Sequence, residues 1–534
     1  MSIYNKSASK PTPQSKPLRG REAEQSKNAA GGYTFLLDPL GRLRRFLIIG
    51  TEKGTFYQSE DDLTEEGIGA CEAAVKHDGA ASVAMIRNVA KERLAAKRSP
   101  TMFALAVAAK LGDDATRSAA YDAVAEVCGT PTDLFDWLEC VKALGGFGSG
   151  VQRAIRLWYA ARDPSRLAYQ MSKYRNREGW THADALRIAH PPMSESEHGQ
   201  LFAWATWYAD KKRKDGTPVE RPAIFYAAEC AADSWAAPVW AYERAQTCDE
   251  AELIRLIEAH DLPRECIPTE RLKSPRVWGA LLRRMPMTAM LRNLGNLGKH
   301  GLLTPFSDGE KSVLASLEGE AFDKAKPHPV QILLALGQYM SGHGQKGSGS
   351  WTPNPRIGEA LGAATKRAFR HATPTGKRVV VAIDLSCSMS AACSSAPALP
   401  CWGVAKVLGD AFKTIEKNVL LLGFGERCTT LDVSQIVGPT FGGTDCSLPF
   451  SYCMNSKIEA DLFVILTDNE TWSGSVHPCV AFEAYRKAVN PAAKAVSVAM
   501  TATKGSIADP ASPDWLSVIG LDASFPQLVQ EWAR

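Results

Sequence analysis

No run of the sequence approaches the ~20 consecutive apolar residues that a membrane-spanning helix needs. The N-terminus has no apolar signal-peptide core either. It is polar and rich in Ser, Lys and Pro, so a disordered basic tail is expected over residues 1–30, and with it a cytoplasmic protein. The 13 cysteines include no CxxC pair and run from Cys71 to Cys479 in an odd number. That excludes a paired disulfide framework and a closely spaced zinc site, and leaves buried, reduced thiols. Walker loops, HExxH helices and GxSxG elbows are all missing, so three familiar catalytic constellations have no residues to build them. Net charge is also scarce, at +4.

What charge there is lies unevenly. Residues 372–534 carry 12 basic and 15 acidic side chains, so all the positive excess falls in the first 371 residues. It is densest over 151–190, where Arg153, Arg156, Arg162, Arg166, Lys173, Arg175, Arg177 and Arg187 face three acids. Such a patch suits phosphate, although a solvated helix face gives the same count. The run Lys211-Lys212-Arg213-Lys214 ends in Asp215-Gly216 and reads as a solvated loop.

The texture of the chain changes twice. Residues 32–57 read as extended structure with turns, on the apolar runs 33–37 and 46–49 bounded by Asp38-Pro39 and Gly50. From about 63 to 371 apolar residues recur at helical spacing, as in Val83, Ile86 and Val89, or Phe103, Val107 and Leu111. Thr130-Pro131-Thr132-Asp133 supplies an N-cap, a proline at the first helical position and an acid two residues on, before the stripe Leu134, Leu138 and Val141. Short helices in succession imply a stacked helical-pair solenoid. From Lys377 strands and helices alternate: strands at 379–383, 419–424, 462–467, 495–500 and 516–521, helices at 403–417 and 479–489, and a capped final helix after Ser524. This is the pattern of a doubly wound α/β domain with helices on both faces of a parallel sheet, joined to the body through 353–376.

Asp384-Leu385-Ser386-Cys387-Ser388 sits at the carboxyl end of the first of these strands, the edge where open α/β sheets bind ligands. An acid and two hydroxyls there make half of an oxygen-rich nest for a hard divalent cation. By itself the DxSxS pattern is often only a turn capped by Ser. Two further segments complete it: Gly442-Gly443-Thr444-Asp445 brings a hydroxyl on a flexible loop, and Thr467-Asp468 ends the third strand with a second carboxylate. The three elements, in this order, resemble the metal-ion-dependent adhesion motif of von Willebrand A domains. The resemblance implies that Ser386, Ser388 and Thr444 hold Mg²⁺ directly, that Asp384 and Asp468 act through water, and that one position stays open for a partner's carboxylate.

Further segments resemble, in order, the module shared by telomerase, Ro and vault proteins, and within it the Ro autoantigen family. They are Arg42-Leu43-Arg44-Arg45-Phe46-Leu47 with Gly54-Thr55-Phe56-Tyr57, and Lys173-Tyr174-Arg175-Asn176-Arg177-Glu178-Gly179-Trp180-Thr181-His182 leading to His190-Pro191. Met285-Pro286-Met287, Gly342-His343-Gly344 and Thr467-Asp468-Asn469-Glu470-Thr471 continue the match. The resemblance implies a TROVE module over 31–372, a ring of HEAT-like helical repeats, followed by a von Willebrand A domain over 373–534. It implies a non-catalytic monomer that binds small noncoding Y RNAs on its outer face and single-stranded ends of misfolded RNA in its central hole. An exoribonuclease such as polynucleotide phosphorylase is the implied partner in RNA turnover. Lys173, Arg177 and His190 take the RNA-contacting positions, with Arg175 and Arg187 beside them in the basic patch. Trp180 and His182 have plainer readings, as a packed indole and a structural histidine.

Two rival functions remain on the residues themselves. Asp384 and Asp468 are the acids a metal-assisted nuclease would use, but such sites usually hold their metal mainly through carboxylates, whereas this one is rich in hydroxyls. A metal-dependent protein-interaction scaffold fits the A-domain motif equally well, and would have no use for the basic segment from Lys173 to Arg177.

Overall fold

The computed structural model describes residues 11–50, 60–210 (save 96 and 178), 217, 234–344 (save 328), 349–368, 374–432 (save 394 and 395), 436–519 (save 502) and 529. The basic run 211–214, the segment 54–57 and the final helix expected after Ser524 fall outside these residues. The chain forms two compact units, one of residues 1–70, 94–97 and 366–534, the other of 71–93 and 98–365.

The N-terminal segment departs from expectation. Instead of a disordered tail, residues 22–27 form a 3₁₀ turn and a strand β1 (Gln25–Lys27), which pairs antiparallel with β2 (Tyr33–Leu36). Local composition carries no sign of this because the segment's order comes from distant partners in its own unit. Gln14 is buried, Arg21 pairs with Asp509, and Phe35 enters the core of the α/β domain. Burying a phenylalanine contributes on the order of 1.5–3 kcal/mol. The run 46–49, expected as extended, is the end of a helix, Pro39–Ile49. The Asp38 side chain accepts from the Gly41 N–H and proline occupies the first turn, so the pair that looked like a strand boundary is a helix start. Arg45 of this helix is buried and donates to the carbonyls of Thr503 and Gly505 at 2.5 and 2.6 Å. Residues 31–50 and 60–70 therefore group in space with the α/β domain rather than with the helical unit.

The second unit is helical. Ser99–Leu111 packs on Asp114–Val127 and on Pro131–Ala143, and most following helices lie against ones one to three positions along, as Pro164–Lys173 does against Ala237–Ala245. The Thr130 capping box starts Pro131–Ala143 as its sequence demands, and Leu134, Leu138 and Val141 are buried. One small hairpin interrupts the helices: β3 (Asn176–Arg177) pairs with β4 (Trp180–Thr181) through a turn in which Gly179 takes φ +81°.

The α/β domain is built on a six-stranded sheet. Its strands are β5 (Arg378–Asp384), β8 (Asn418–Phe424), β9 (Cys428–Thr430), β10 (Leu462–Thr467), β11 (Lys494–Ala499) and β13 (Trp515–Ile519). Outside it, β6 (Ala392–Cys393) pairs with β7 (Ala396–Pro400), and β12 (Gly505–Ser506) pairs with β2. The order is β13-β11-β10-β5-β8-β9, parallel except for β9, an antiparallel edge strand that the sequence pattern did not reveal. β10 is buried along its whole length and β5 beyond its first residue, which explains their unbroken apolar sequences. From β5 the chain moves outward to β8 on one side, then returns to β10 on the other. The strand order thus reverses between β5 and β10, the place where open sheets present a ligand crevice.

Candidate metal centre and nucleic-acid interface

Parallel pairing of β5 with β10 sets Ile383 opposite Leu466, so Asp384 and Thr467–Asp468 leave the sheet side by side. Asp384 is buried. Its two carboxylate oxygens accept from the Ser386 N–H at 2.9 Å and the Thr467 hydroxyl at 2.7 Å. The Ser386 and Ser388 hydroxyls lie 3.1 Å apart, and the Asp468 carboxylate accepts from the Glu470 N–H at 3.0 Å. The loop before Thr444 is held to the same edge by a parallel bridge between Phe441 and Ser386, and the Thr444 carbonyl accepts from the Trp472 N–H at 3.0 Å. Asp384, Ser386, Ser388, Thr444 and Asp468 are thus all buried at one sheet edge.

The electrostatics there are unfavourable to an empty nest. Burial, and then the charge of Asp468, raise the Asp384 carboxyl above its usual range, and burial raises Asp468 as well. Glu470, buried two residues on, is pushed up to about 8 by burial and by Asp468. The Thr444 hydroxyl is buried without a hydrogen-bond partner. Buried polar atoms are seldom left unpaired, so an orphan hydroxyl at the same edge as two buried carboxylates and two serine hydroxyls fits a hard cation with oxygen ligands. Among the described residues no three His, Cys, Asp or Glu side chains gather for a metal, so the donors here are mainly hydroxyls. Thr467 was read only as the strand end beside Asp468, whereas its hydroxyl fixes the Asp384 carboxylate.

The basic residues are arranged differently. Lys173 ends the helix Pro164–Lys173, half-buried, with its ammonium 5.1 Å from the Tyr174 ring centre and 5.8 Å from that of Tyr169. Burial works against its charge, yet Tyr169, Tyr174 and Glu265 outweigh this and raise its pKa. Arg177 is exposed on β3 and pairs with Asp136 at 3.2 Å. After the hairpin, a capping box of Thr181 and Asp184 starts the helix His182–Ala189. His190 caps the far end, exposed, in the left-handed region at φ 48°. Lys173, Arg177 and His190 therefore share one helix–hairpin–helix segment.

Arg175 and Arg187 are more committed. Arg175 lies over the Tyr242 ring, bonds its hydroxyl and donates to the Glu265 carbonyl at 3.1 Å, while Arg187 pairs with Asp184 and Asp210. Arg162, counted in the same patch, stacks 3.5 Å from the Trp158 ring centre and donates to the carbonyls of Cys128 and Trp158. The charge count alone thus overstated the free positive surface. Trp180 is half-buried, donating to Glu139 at 2.7 Å and edge-on to Phe147. His182 is buried, bonded to the Tyr159 hydroxyl at 2.8 Å and pushed down to about 3 by burial, a neutral structural histidine. Of the cysteines, 12 are described and free, most of them buried.

Residues 378–533 match the family model of the Ro60 von Willebrand A domain, and residues 26–260 and 259–338 match that of the TROVE domain. A protein of Deinococcus radiodurans named RNA-binding protein RO60 is 33% identical over 96% of this chain and 96% of its own length. Its Caenorhabditis elegans namesake is 32% identical over 95% and 90%. The crystal structure of the Deinococcus radiodurans Ro (RSR) protein superposes with a TM-score of 0.66 at 31% identity, covering 93% of this chain and 99% of that one. With both family models matched in order and relatives aligned over nearly the whole length, this chain belongs to the Ro family.

Proposed function

We propose that the protein is a non-catalytic RNA-binding protein of the cytoplasm. It holds small structured RNAs of the Y-RNA kind on the face carrying Lys173, Arg177 and His190, and takes single-stranded ends of misfolded RNA, assisting their turnover by an exoribonuclease such as polynucleotide phosphorylase. The names of its relatives support RNA as the ligand. The observation that carries the reading is the segment 173–190, where two cations and an exposed imidazole stand on neighbouring elements and Tyr174 offers a ring beside them. Cations neutralise phosphates and supply affinity with little sequence information, while exposed rings stack on unpaired bases. No helix among the described residues is long and apolar enough to cross a membrane.

In the A domain, Ser386, Ser388 and Thr444 would hold Mg²⁺ directly, with Asp384 and Asp468 through water. The ion would supply a Lewis-acidic position able to take a carboxylate from a partner. A hydroxyl-rich set favours capture over hydrolysis, so purified protein is expected to leave both structured and single-stranded RNA intact with Mg²⁺ or Mn²⁺. Turnover that follows the protein through purification and vanishes in Asp468→Ala would reverse the non-enzyme reading. The direct test of binding is titration with a structured small RNA at rising salt. Tight binding that weakens steeply with salt is expected, and binding indifferent to salt would favour a protein-interaction scaffold acting through the metal site.

A further inference from the structure

Two loops that bond each other directly supply the candidate metal site, one carrying Thr444 and the other Asp468, and a side chain from far away in sequence bonds both. Gln14 is 0% exposed. Its amide nitrogen donates to the Asp445 carboxylate at 2.7 Å and to the Val476 carbonyl at 2.8 Å, and its amide oxygen accepts from the Thr471 hydroxyl. Its backbone joins the same network, donating to the Gly474 carbonyl at 3.0 Å and accepting from the Tyr33 N–H at 2.8 Å. Asp445 follows Thr444 directly, and Thr471 lies three residues beyond Asp468 in the loop that closes over it.

The rest of the segment repeats the contact. Asn28 donates to the Thr471 carbonyl at 2.9 Å, and the Ala30 N–H donates to the Glu470 carboxylate at 2.9 Å. At Gly32 the backbones approach so closely that a Cβ would stand 2.0 Å from the Thr471 oxygen. At Gly474 a Cβ would stand 2.2 Å from the Gln14 amide nitrogen and 2.4 Å from the Asp445 carboxylate. Both glycines make room for the same junction.

We infer that Gln14 is a positioning residue for the metal site, and that the strap formed by residues 11–36 sets the separation of the Thr444 and Asp468 loops and with it the affinity for Mg²⁺. The inference rests on the reading of that site as a cation site. Gln14 suits the role because its amide donates and accepts at once. It satisfies a carboxylate on one loop and a hydroxyl on the other without adding charge next to three buried acids. Partners that orient metal ligands typically govern affinity by about 10–100-fold. Linkage also makes the coupling reciprocal: a strap that favours the metal-binding arrangement must itself be stabilised by the metal.

The test uses the full-length protein. Mg²⁺ affinity is measured by calorimetry for the unsubstituted chain and for Gln14→Met, which keeps the length of the side chain and removes its hydrogen bonds. Amide hydrogen exchange at Gln14, Ala30 and Tyr33 is followed in EDTA and at saturating Mg²⁺. Expected are a 10–100-fold weaker affinity in the folded variant and slower exchange of the three strap amides when the unsubstituted protein is loaded. Equal affinity in folded Gln14→Met, or exchange at these amides that ignores Mg²⁺, overturns the inference. If Gln14→Met does not fold, Gly32→Ala takes its place: the added methyl displaces the strap at Thr471, affinity should fall likewise, and an unchanged value overturns the inference. Absence of Mg²⁺ uptake by the unsubstituted chain removes the metal reading itself, and that outcome is recognisable before any variant is made.

Discussion

The candidate metal edge of the A domain and the basic segment of the helical body are constructed on opposite physical terms. At the sheet edge every predicted ligand is buried, and all but the Thr444 hydroxyl take part in hydrogen bonds of 2.7–3.1 Å. In the segment from Lys173 to His190 the charges are exposed or half-buried, and several already face acids. A compact cation with strict ligand demands needs a rigid cage, prepared before it arrives. A polyanion needs only potential over a surface, and side chains that adjust to it suffice. The contrast predicts that single substitutions abolish function at the first region and grade it at the second.

The largest effect is expected from Asp384→Ala. It removes one of two carboxylates near the cation and leaves the Ser386 N–H and the Thr467 hydroxyl without their acceptor. Neutral hydroxyls alone are poor partners for a hard divalent ion. Mg²⁺ at about a hundred times its dissociation constant should stabilise the unsubstituted protein by about 2.7 kcal/mol. Thermal unfolding of the variant should show none of this, while its affinity for RNA stays at the original value. Retained metal stabilisation would sink the coordination scheme. Loss of RNA affinity from a folded variant would show that the two regions are not independent.

A graded loss is expected from the double replacement Lys173→Ala and Arg177→Ala. The slope of log affinity against log salt should fall by up to about two, one for each lost phosphate contact. Melting temperature should barely move, because exposed charges contribute little to folding. Affinity and slope both equal to the starting protein's would place the RNA elsewhere.

These two regions were also unequally legible. That Asp384 and Asp468 come together could be read off because strand ends are marked by where apolar runs stop, and both stand at such stops. Charge picked out Lys173 and Arg177 only within a wider patch, and the resemblance singled them out with His190; charge alone also included Arg162, which the fold turns inward onto Trp158. What stayed hidden depends on contacts between distant parts of the chain. The polar composition of residues 11–30 says disorder, and only the burial of Gln14 and the pairing of Arg21 with Asp509 make it structure. The antiparallel strand Cys428–Thr430 is three residues long, too short for any periodicity to register.

Acid should separate the regions by sign. In the A domain the folded-state pKa values of Asp384, Asp468 and Glu470 are raised. The folded form therefore binds more protons than the unfolded one, and its metal-free stability is lost as pH rises through the folded values, about 8 for Glu470. In the helical body His182 is depressed to about 3. Its contribution is complete above the unfolded value and lost as pH falls towards the folded one, by about 2 kcal/mol between pH 6.5 and 5. Denaturant titrations in EDTA, read by probes in each unit, should show opposite pH slopes, and His182→Gln should flatten only that of the helical body. Parallel slopes would mean that these buried groups do not govern the pH response.

The smallest effect sharpens the comparison most. Arg177 shares its charge with Asp136 at 3.2 Å, and that acid is largely covered while the arginine stays open. An ion pair at such an exposed position contributes roughly 0–1 kcal/mol to folding, so the pairing mainly sets the potential that an approaching phosphate meets. Asp136→Asn keeps the shape of the site and removes one negative charge from the binding face. RNA affinity should rise a few-fold at low salt, with the gain shrinking as salt screens it over about 10 Å at 0.1 M. No comparable gain is expected at the candidate metal edge, where removing a carboxylate removes charge that would hold the cation. A fall in affinity on Asp136→Asn would show that the acid orients Arg177 for its phosphate, which would make the basic segment, like the metal edge, a site prepared in advance.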